Sequence, residues 1–599
     1  MRGKKIDSSL SLVMRKRASL KWLFYIVLMH ANAHAEDLLK APLKSGQTIA
    51  LYTGAFDPIH LGHDEVMRYA LSHGIDYVVV VPDSKFNRYK PFITSVKLRN
   101  LLLNFLYRNE PSILTTPLHY DDVIEYLAKA DIKLVAVLGS DNFIRLLNEN
   151  AVPKLKAHSW LIIPRDEDKN NPLLHNTQML AGKPVVIADS AQLTQQGYSS
   201  TKIRTMLRHH PEFYDGFFNP SSGELPLDPT VRDFIRDFKL YQKIPDEIAE
   251  SKELFGEITN AILRHVSHGE SQPYKITHAL QEGIESGSGN LIFFVADATG
   301  KKIMTVKAFV THAKDQQYDA ELRALEVLQH LSLRHSRPVR PLFASQKLHF
   351  NLLGMEYVEG RSLDSLLQEF NAKAGNQEAQ NIKHAFYVMG TALAELHATN
   401  AGKVEEPSAA MIQKYRDVSH TVINEIERNK NLIVGADIDS ATLHAKKEML
   451  VAEILRNPGH FSYLHGDAQP GNFFINNERD GVVMIDVGGA AKYFDNDKQP
   501  IGFSAHEYFQ FLSSIDLAAI NYGNLSAEDI QQIKDSFEAG YHAYLEEKKI
   551  ILSTQESVDF FKFYWMLRGI QSDLLSLKYA TNNHQAIDRV HSKLQAILA

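Results

Sequence analysis

His60 and His63 stand three residues apart in Gly54-Ala-Phe-Asp-Pro-Ile-His-Leu-Gly-His63. At that spacing both imidazoles fall on one side of an incoming helical turn. Rings so placed can hydrogen-bond phosphate oxygens and stabilise the charge that grows during attack at phosphorus. A second reactive set lies far downstream, in His465-Gly-Asp-Ala-Gln-Pro-Gly-Asn472, with Asp486 ending the apolar run Gly481–Asp486 fourteen residues after Asn472. Two carboxylates and an amide in this pattern suit Mg²⁺-assisted phosphoryl transfer from ATP. Asp467 would accept the proton of a substrate hydroxyl, while Asn472 and Asp486 would hold the metal against the phosphates.

These groups need elements to position them. The apolar run Thr48–Tyr52 predicts a strand, and Asp64–Leu71 has helical spacing. A strand, a glycine-bearing loop and a helix start make an anion site, because free N–H groups and the helix dipole both face the loop. Around the second set, Met304–Phe309 is a β-type run that contains Lys307, and Glu321–Leu328 has apolar residues at helical spacing.

The first set resembles the HxGH signature of the nucleotidyltransferase superfamily and, within it, the bacterial nicotinate/nicotinamide mononucleotide adenylyltransferases. Val135–Phe143 is similar to the strand and Gly-x-Asp loop of that family, with Gly139 and Asp141. Leu161–Arg165 is similar to its next strand and terminal arginine. Tyr198-Ser-Ser-Thr-Lys-Ile-Arg204 resembles its SSTxIR motif, and Pro226–Tyr241 its closing helix. The resemblance implies a Rossmann-like α/β domain in which Gly54, Phe56, Gly139, Asp141, Arg165, Ser199, Ser200, Thr201 and Arg204 surround a nucleoside triphosphate. Lys90 and Arg99 resemble phosphate ligands of the family. Asp141 has two readings, orientation of ribose or adenine and capping of its own loop.

The second set resembles the aminoglycoside phosphotransferase and choline kinase family, relatives of the protein kinases. The resemblance implies a bilobal α+β kinase-like domain. Lys307 would contact phosphates and pair with Glu321 or, in competition, Glu326. Gly283, Gly287 and Gly289 would form a phosphate-covering loop before the strand Leu291–Ala296. Leu353–Gly360, with Glu356 and Tyr357, resembles the hinge whose backbone meets adenine, and the helical Glu395-Leu-His397 also fits. Gln469 departs from the histidine found in many relatives.

At 599 residues the chain has room for more than one domain, in agreement with two reactive sets. The expected division is a leader at 1–35, a nucleotidyltransferase domain at 45–241, a linker at 242–251 and a kinase-like domain at 252–599. Within the last, 404–457 reads as a helical insertion around the acceptor site, and 505–599 as amphipathic helices with core aromatic residues. A net charge of −6 without a polybasic block speaks against nucleic-acid binding as a main function. Zero cysteines exclude disulfides and thiolate catalysis. Gly300-Lys-Lys lacks the remainder of a Walker-type phosphate loop.

Arg15, Lys16, Arg17 and Lys21 precede the apolar run Trp22–Met29, which is too short to span a bilayer, and Ala31–Ala35 offers small-residue cleavage sites. This pattern resembles a secretory signal peptide, and the expectation is export, with delivery into a host cell as its extension; the alternatives are an interfacial anchor or an unstructured leader, and a cytoplasmic protein. N-terminal sequencing that found residue 1 intact on cytosolic protein would refute export.

The expected partners are small molecules, a phosphate monoester for one domain and a hydroxyl acceptor for the other. The combined expectation is a bifunctional transferase that makes an NAD-type dinucleotide. The alternatives are a choline- or ethanolamine-like kinase coupled to a cytidylyltransferase, a host-directed protein kinase or nucleotidyltransferase, and a nucleotide-binding module without turnover. Oligomeric state is not encoded in any motif.

Overall fold

A computed structural model of the chain describes residues 44–599 apart from 84–93, 117–119, 129–131, 149–156, 166–170, 175–178, 194–198, 210–225, 238–239, 242–252, 268–273, 280–289, 311–314, 348–349, 371–375, 400–408, 434–438, 477–480, 488–499, 523–524, 580–583 and the single positions 95, 173, 181, 460 and 599. The leader, the linker, Lys90 and the three glycines at 283, 287 and 289 lie outside the described residues. The chain divides into two compact units between Phe255 and Gly256.

The first unit is built on apolar runs that are buried on both faces, as a parallel sheet requires. Its strands are β1 (Thr48–Gly54), β2 (Tyr77–Pro82), β3 (Ile113–Thr115), β4 (Lys133–Gly139), β5 (Ser159–Ile163), β6 (Met179–Leu180) and β7 (Lys183–Ile187). They lie in the order β3-β2-β1-β4-β5-β7-β6, all parallel except for the β6–β7 pair. The helices are α1 (Leu61–Ser72), α2 (Val96–Tyr107), α3 (Tyr120–Ala128), α4 (Ser140–Asn148), α5 (Ser200–His209) and α6 (Pro229–Asp237).

From β1 the chain builds outward through β2 and β3, then returns to place β4 on the opposite side of β1. Strand order therefore reverses at β1 and β4, and the loops after them open a crevice at the carboxyl ends of the strands. The loop carrying His60 and the Gly139–Asp141 turn both leave from that edge.

The second unit opens on α7 (Leu254–Val266), whose first two residues fall on the far side of the division. His265 of this helix stacks on Phe343, with ring centroids 4.4 Å apart. An antiparallel sheet follows, in the order β12-β13-β10-β9-β8. Its members are β8 (Lys275–His278), β9 (Leu291–Ala296), β10 (Lys302–Phe309), β12 (Pro341–Gln346) and β13 (Asn351–Glu356), with β11 (Ser336–Pro338) belonging elsewhere. Between β10 and β11 runs α8 (Asp315–Gln329).

The helical part contains β14 (Arg361–Ser362), α9 (Leu363–Glu369), α10 (Asn376–Ala398), α11 (Ala409–Arg428), α12 (Ser440–Arg456), β15 (Phe461–Tyr463), β16 (Phe473–Asn476), β17 (Gly481–Met484) and β18 (Ile501–Phe503). It ends with α13 (Ser504–Tyr522), α14 (Ala527–Lys548), α15 (Gln555–Tyr579) and α16 (His584–Leu598). Two apolar clusters organise it. One joins α8, α9, α10, α13 and α14 with β16 and β17. The other joins α11, α12, α15 and α16, and Phe560, Phe561, Tyr564 and Trp565 are buried in it as core residues.

Helices α10 and α14 approach so closely that a Cβ on Gly540 would lie 2.0 Å from the Tyr387 carbonyl oxygen, and one on Gly390 2.0 Å from that of Phe537. Glycine is needed at both positions for lack of space. No helix among the described residues is long and apolar enough to cross a membrane.

Candidate functional sites

In the first unit, β1 delivers the chain into a loop that is closed by buried side chains. Phe56 takes a left-handed backbone with φ 46°, a costly conformation for a non-glycine residue. Its ring covers Gly54 and meets His63 edge-on, with centroids 4.9 Å apart. The His60 and His63 rings lie 3.8 Å apart by centroid, and the His60 N–H donates to His63 Nδ1 at 3.3 Å. The paired imidazoles thus sit at the start of α1, as their spacing predicts.

Three expected ligands of the triphosphate hold the loop itself. Arg204, 6% exposed, donates from Nη1 to the Asp57 carbonyl at 2.6 Å and from Nη2 to Thr201 Oγ1 at 3.1 Å. The Ser200 hydroxyl donates to the Pro58 carbonyl at 3.0 Å. Arg99 is a clearer correction. It is buried, and its guanidinium donates to the carbonyls of Thr94, Ala55 and Asp83 at 2.6, 2.5 and 2.7 Å. A guanidinium so enclosed braces backbone and is not open to a phosphate. Ser199 accepts from the Lys202 N–H at 3.2 Å and so caps α5, and Thr201 is exposed beside it.

Across the crevice, Arg165 and Asp141 form an ion pair at 3.2 Å, each side chain about half exposed. Both crowd Gly139, where a Cβ would fall 2.6 Å from Asp141 Oδ1 and 3.3 Å from Arg165 Nε. Of the expected cationic ligands that are described, Arg165 is the one left half-exposed. Asp57 had no assigned role, yet its buried carboxylate accepts from Tyr241 Oη at 2.7 Å and from the Thr94 N–H at 3.0 Å. A lone aspartate before proline carries no sequence signal for that role.

In the second unit, Lys307 on β10 and Glu321 on α8 meet at 2.6 Å with both side chains nearly fully buried. Glu326 is exposed, which decides the pairing in favour of Glu321. Lys307 also contacts the Asp486 carboxylate. Burial alone would lower the Lys307 pKa, but the charges of Asp486 and Glu321 outweigh it and hold the ammonium above its ordinary value.

Asp486 has φ 53°, a left-handed backbone that turns it out of the strand direction just after β17. Pairing of Phe473 with Met484 aligns β16 and β17, and the Ile485 N–H donates to the Asn472 carbonyl at 2.9 Å. Asn472 and Asp486 are thereby brought side by side. The Asn472 amide nitrogen donates to the Asp467 carbonyl at 2.8 Å, which leaves its oxygen, like the Asp486 carboxylate, as a hard donor of the kind Mg²⁺ takes together with phosphate and water oxygens. Among the described residues no group of three or more His, Cys, Asp or Glu could hold a metal without such outside ligands.

The loop that carries Asp467 hangs on a residue for which the sequence offered no role. Glu507 of α13 is fully buried and accepts from the N–H groups of His465 at 2.9 Å and Gly466 at 2.6 Å, and from His397 Nε2 at 3.1 Å. His397 in turn contacts Tyr541 Oη at 2.7 Å. Burial pushes the Glu507 pKa up, and the His397 hydrogen bond and charge, with the loop donors, overcome this and lower it. The Asp467 N–H donates to His465 Nδ1 at 3.2 Å, so the His465 proton sits on Nε2, which faces the Ile485 carbonyl at 2.8 Å.

At the expected hinge, the N–H groups of Glu356 and Tyr357 are already engaged. They donate within the lobe, to Arg340 at 2.9 Å and Ile303 at 3.2 Å, and the Glu356 carboxylate holds Arg337 and the Arg340 N–H. An adenine contact through the N–H of either residue is therefore ruled out in this conformation.

Fold and sites together define a transferase with two domains, one for nucleotidyl and one for phosphoryl groups. Residues 51–206 match the cytidylyltransferase-like family and residues 281–491 the phosphotransferase enzyme family. The probable nicotinate-nucleotide adenylyltransferase of Nitratiruptor sp. is 29% identical over 196 residues, 31% of this chain and 90% of that protein. That of Fusobacterium nucleatum is 21% identical over 174 residues, 27% of this chain and 88% of that protein. The structure of an aminoglycoside phosphotransferase from Streptomyces rimosus, in complex with ADP and streptomycin, aligns with a TM-score of 0.31 and 14% identity over 53% of this chain and 98% of that one. The chain is an enzyme that joins a domain similar to nicotinate-nucleotide adenylyltransferases to a domain that matches the phosphotransferase enzyme family.

Two predictions follow from charge and burial. His60 is 7% exposed, and burial, then the Arg165 charge, lowers its pKa from 6.5 to about 4. The unfolded chain therefore takes up a proton there at a higher pH than the folded one. The resulting stability of the first unit is fully present above pH 6.5 and is lost as the pH falls toward 4, by about 3 kcal/mol at most. Urea midpoints across this window should slope more steeply for the wild type than for His60→Asn, and equal slopes would contradict the assignment. Glu507→Gln sets an amide NH₂ against loop donors and should destabilise the second unit by about 2–3 kcal/mol. Calorimetry reads this as a lower transition temperature for that unit, and an unchanged one would exclude Glu507 as the loop anchor.

Proposed function

We propose that the first domain transfers an adenylyl group from ATP to a pyridine mononucleotide, giving an NAD-type dinucleotide and pyrophosphate. A phosphate oxygen of the mononucleotide attacks the α-phosphorus, the new P–O bond forms, and the bond to the β-phosphate breaks. No protein nucleophile takes part. His60, neutral at neutral pH, and His63 would donate hydrogen bonds to the charged oxygens at the start of α1, and Arg165 would supply the mobile positive charge. Gly54 and Gly139 would let the nucleotide approach the backbone, and Asp141, released from Arg165, would contact ribose or adenine. The observation that carries this reading is the closely packed histidine pair at the point where strand order reverses. Likeness to two bacterial nicotinate-nucleotide adenylyltransferases supports the substrate class.

The second domain, in this proposal, phosphorylates a small-molecule hydroxyl with ATP. Asp467 accepts the hydroxyl proton as oxygen attacks the γ-phosphorus and ADP leaves, with Lys307 on the phosphates. Asn472 and Asp486 would hold Mg²⁺, which supplies charge neutralisation at the phosphate oxygens when bound. A pyridine nucleoside as acceptor would make the product of this domain the substrate of the other. Residues 1–35 would direct export of the enzyme.

The test is to follow pyrophosphate and ADP separately, with the full chain and with ATP or CTP. The trial partners are nicotinate mononucleotide, nicotinamide mononucleotide, phosphocholine and nicotinamide riboside. Pyrophosphate release is expected with ATP and a pyridine mononucleotide. His63→Ala should lower it by about 10²–10³-fold and spare ADP formation, and Asp467→Ala should lower ADP formation by about 10²–10⁴-fold and spare pyrophosphate release. Release only with CTP and phosphocholine would replace the pyridine reading with headgroup chemistry. Phosphate transfer to protein alone would remove the small-molecule acceptor.

A further inference from the structure

One helical turn after Glu507, α13 presents Gln510, which is 4% exposed. Its amide nitrogen donates to Asp467 Oδ1 at 3.2 Å, while Gln469 donates to Asp467 Oδ2 at 3.3 Å. The two glutamines are not equivalent. Gln469 belongs to the same loop as Asp467 and moves with it, so it cannot set the carboxylate against the rest of the lobe. Gln510 can, because its helix is packed into the core through Phe511 and Ile515.

The other end of the Gln510 amide is unusual. Oε1 is closed to solvent and has no hydrogen-bond partner. Turning the amide over would set Oε1 against a carboxylate oxygen, so the Asp467 charge dictates the orientation. A buried unpaired acceptor lowers stability, and an apolar side chain of similar size would avoid the loss. The fold by itself has no use for a glutamine here.

We propose that Gln510 is a positioning residue of the phosphoryl-transfer reaction, pinning the Asp467 carboxylate to α13 so that it keeps one orientation toward the attacking hydroxyl. This rests on the phosphotransfer reading given above. The chemistry is that reaction's own: the hydroxyl proton passes to Asp467, the O–P bond forms, and the bond to ADP breaks. Gln510 exchanges no atom and acts through Asp467 alone.

The experiment compares full-length wild type, Gln510→Leu, Asp467→Ala and the double variant. ADP release is measured with Mg²⁺ and ATP, both with nicotinamide riboside and with water as the sole acceptor, and thermal midpoints are recorded alongside. Expected for Gln510→Leu are a fall in kcat of tenfold or more, a KM for ATP within twofold of wild type, and a midpoint equal to or above wild type. In the Asp467→Ala background the same substitution should bring no further loss, because the two act as one unit. A kcat within twofold of wild type, a loss that persists without Asp467, or a midpoint several degrees lower would each overturn the proposal. Wild type releasing no more ADP than Asp467→Ala would instead sink the phosphotransfer reading, and this proposal with it.

Discussion

Both reactive loops must bury irregular backbone, and irregular backbone leaves N–H and carbonyl groups without ladder partners. Each unit meets this constraint with buried charge, in opposite sense. In the first, Arg99 and Arg204 donate to the carbonyls of Ala55, Asp83, Thr94 and Asp57. In the second, Glu507 accepts from the N–H groups of His465 and Gly466. A charged group bonded several times over is stronger than neutral partners and leaves the loop little freedom. The paired histidines and Asp467 are placed by these braces.

The braces also divide the labour among charged residues. Arg99, engaged with three carbonyls, cannot also bind phosphate, and among the described cationic residues expected at the crevice Arg165 is the half-exposed one. Its field reaches back to His60, where it adds to burial in keeping the ring neutral. In the kinase-like unit the balance runs the other way. Burial disfavours the charge of Lys307, and Asp486 and Glu321 outweigh it and hold the ammonium above its ordinary pKa. Position in the fold thus shifts both groups, His60 toward the neutral form and Lys307 toward the charged one.

Much of the architecture could be read from one sequence, because it depends on local pattern. The runs Thr48–Tyr52, Leu291–Ala296 and Met304–Phe309 are apolar and β-branched, and each became a strand. The spacing of His60 and His63 defined a helix start, and the spacing of Asn472 and Asp486 matched a pair of adjacent strands. Glu321 could not be chosen over Glu326 by periodicity, since both lie on the same helix and only packing shows which faces Lys307.

The sequence by itself determined the two motif sets, their order and much of the secondary structure that carries them, because motif spacing and hydrophobic period act over a few residues. Only the tertiary structure decided what each charged side chain is free to do. Arg99 is bound to carbonyls 5, 16 and 44 residues away, Glu507 to N–H groups 41 and 42 residues away, and Gln510 to a carboxylate 43 residues away. Hydrogen bonding at such separations depends on how helices and strands pack, and residue type alone does not distinguish an arginine that braces a loop from one that awaits a phosphate.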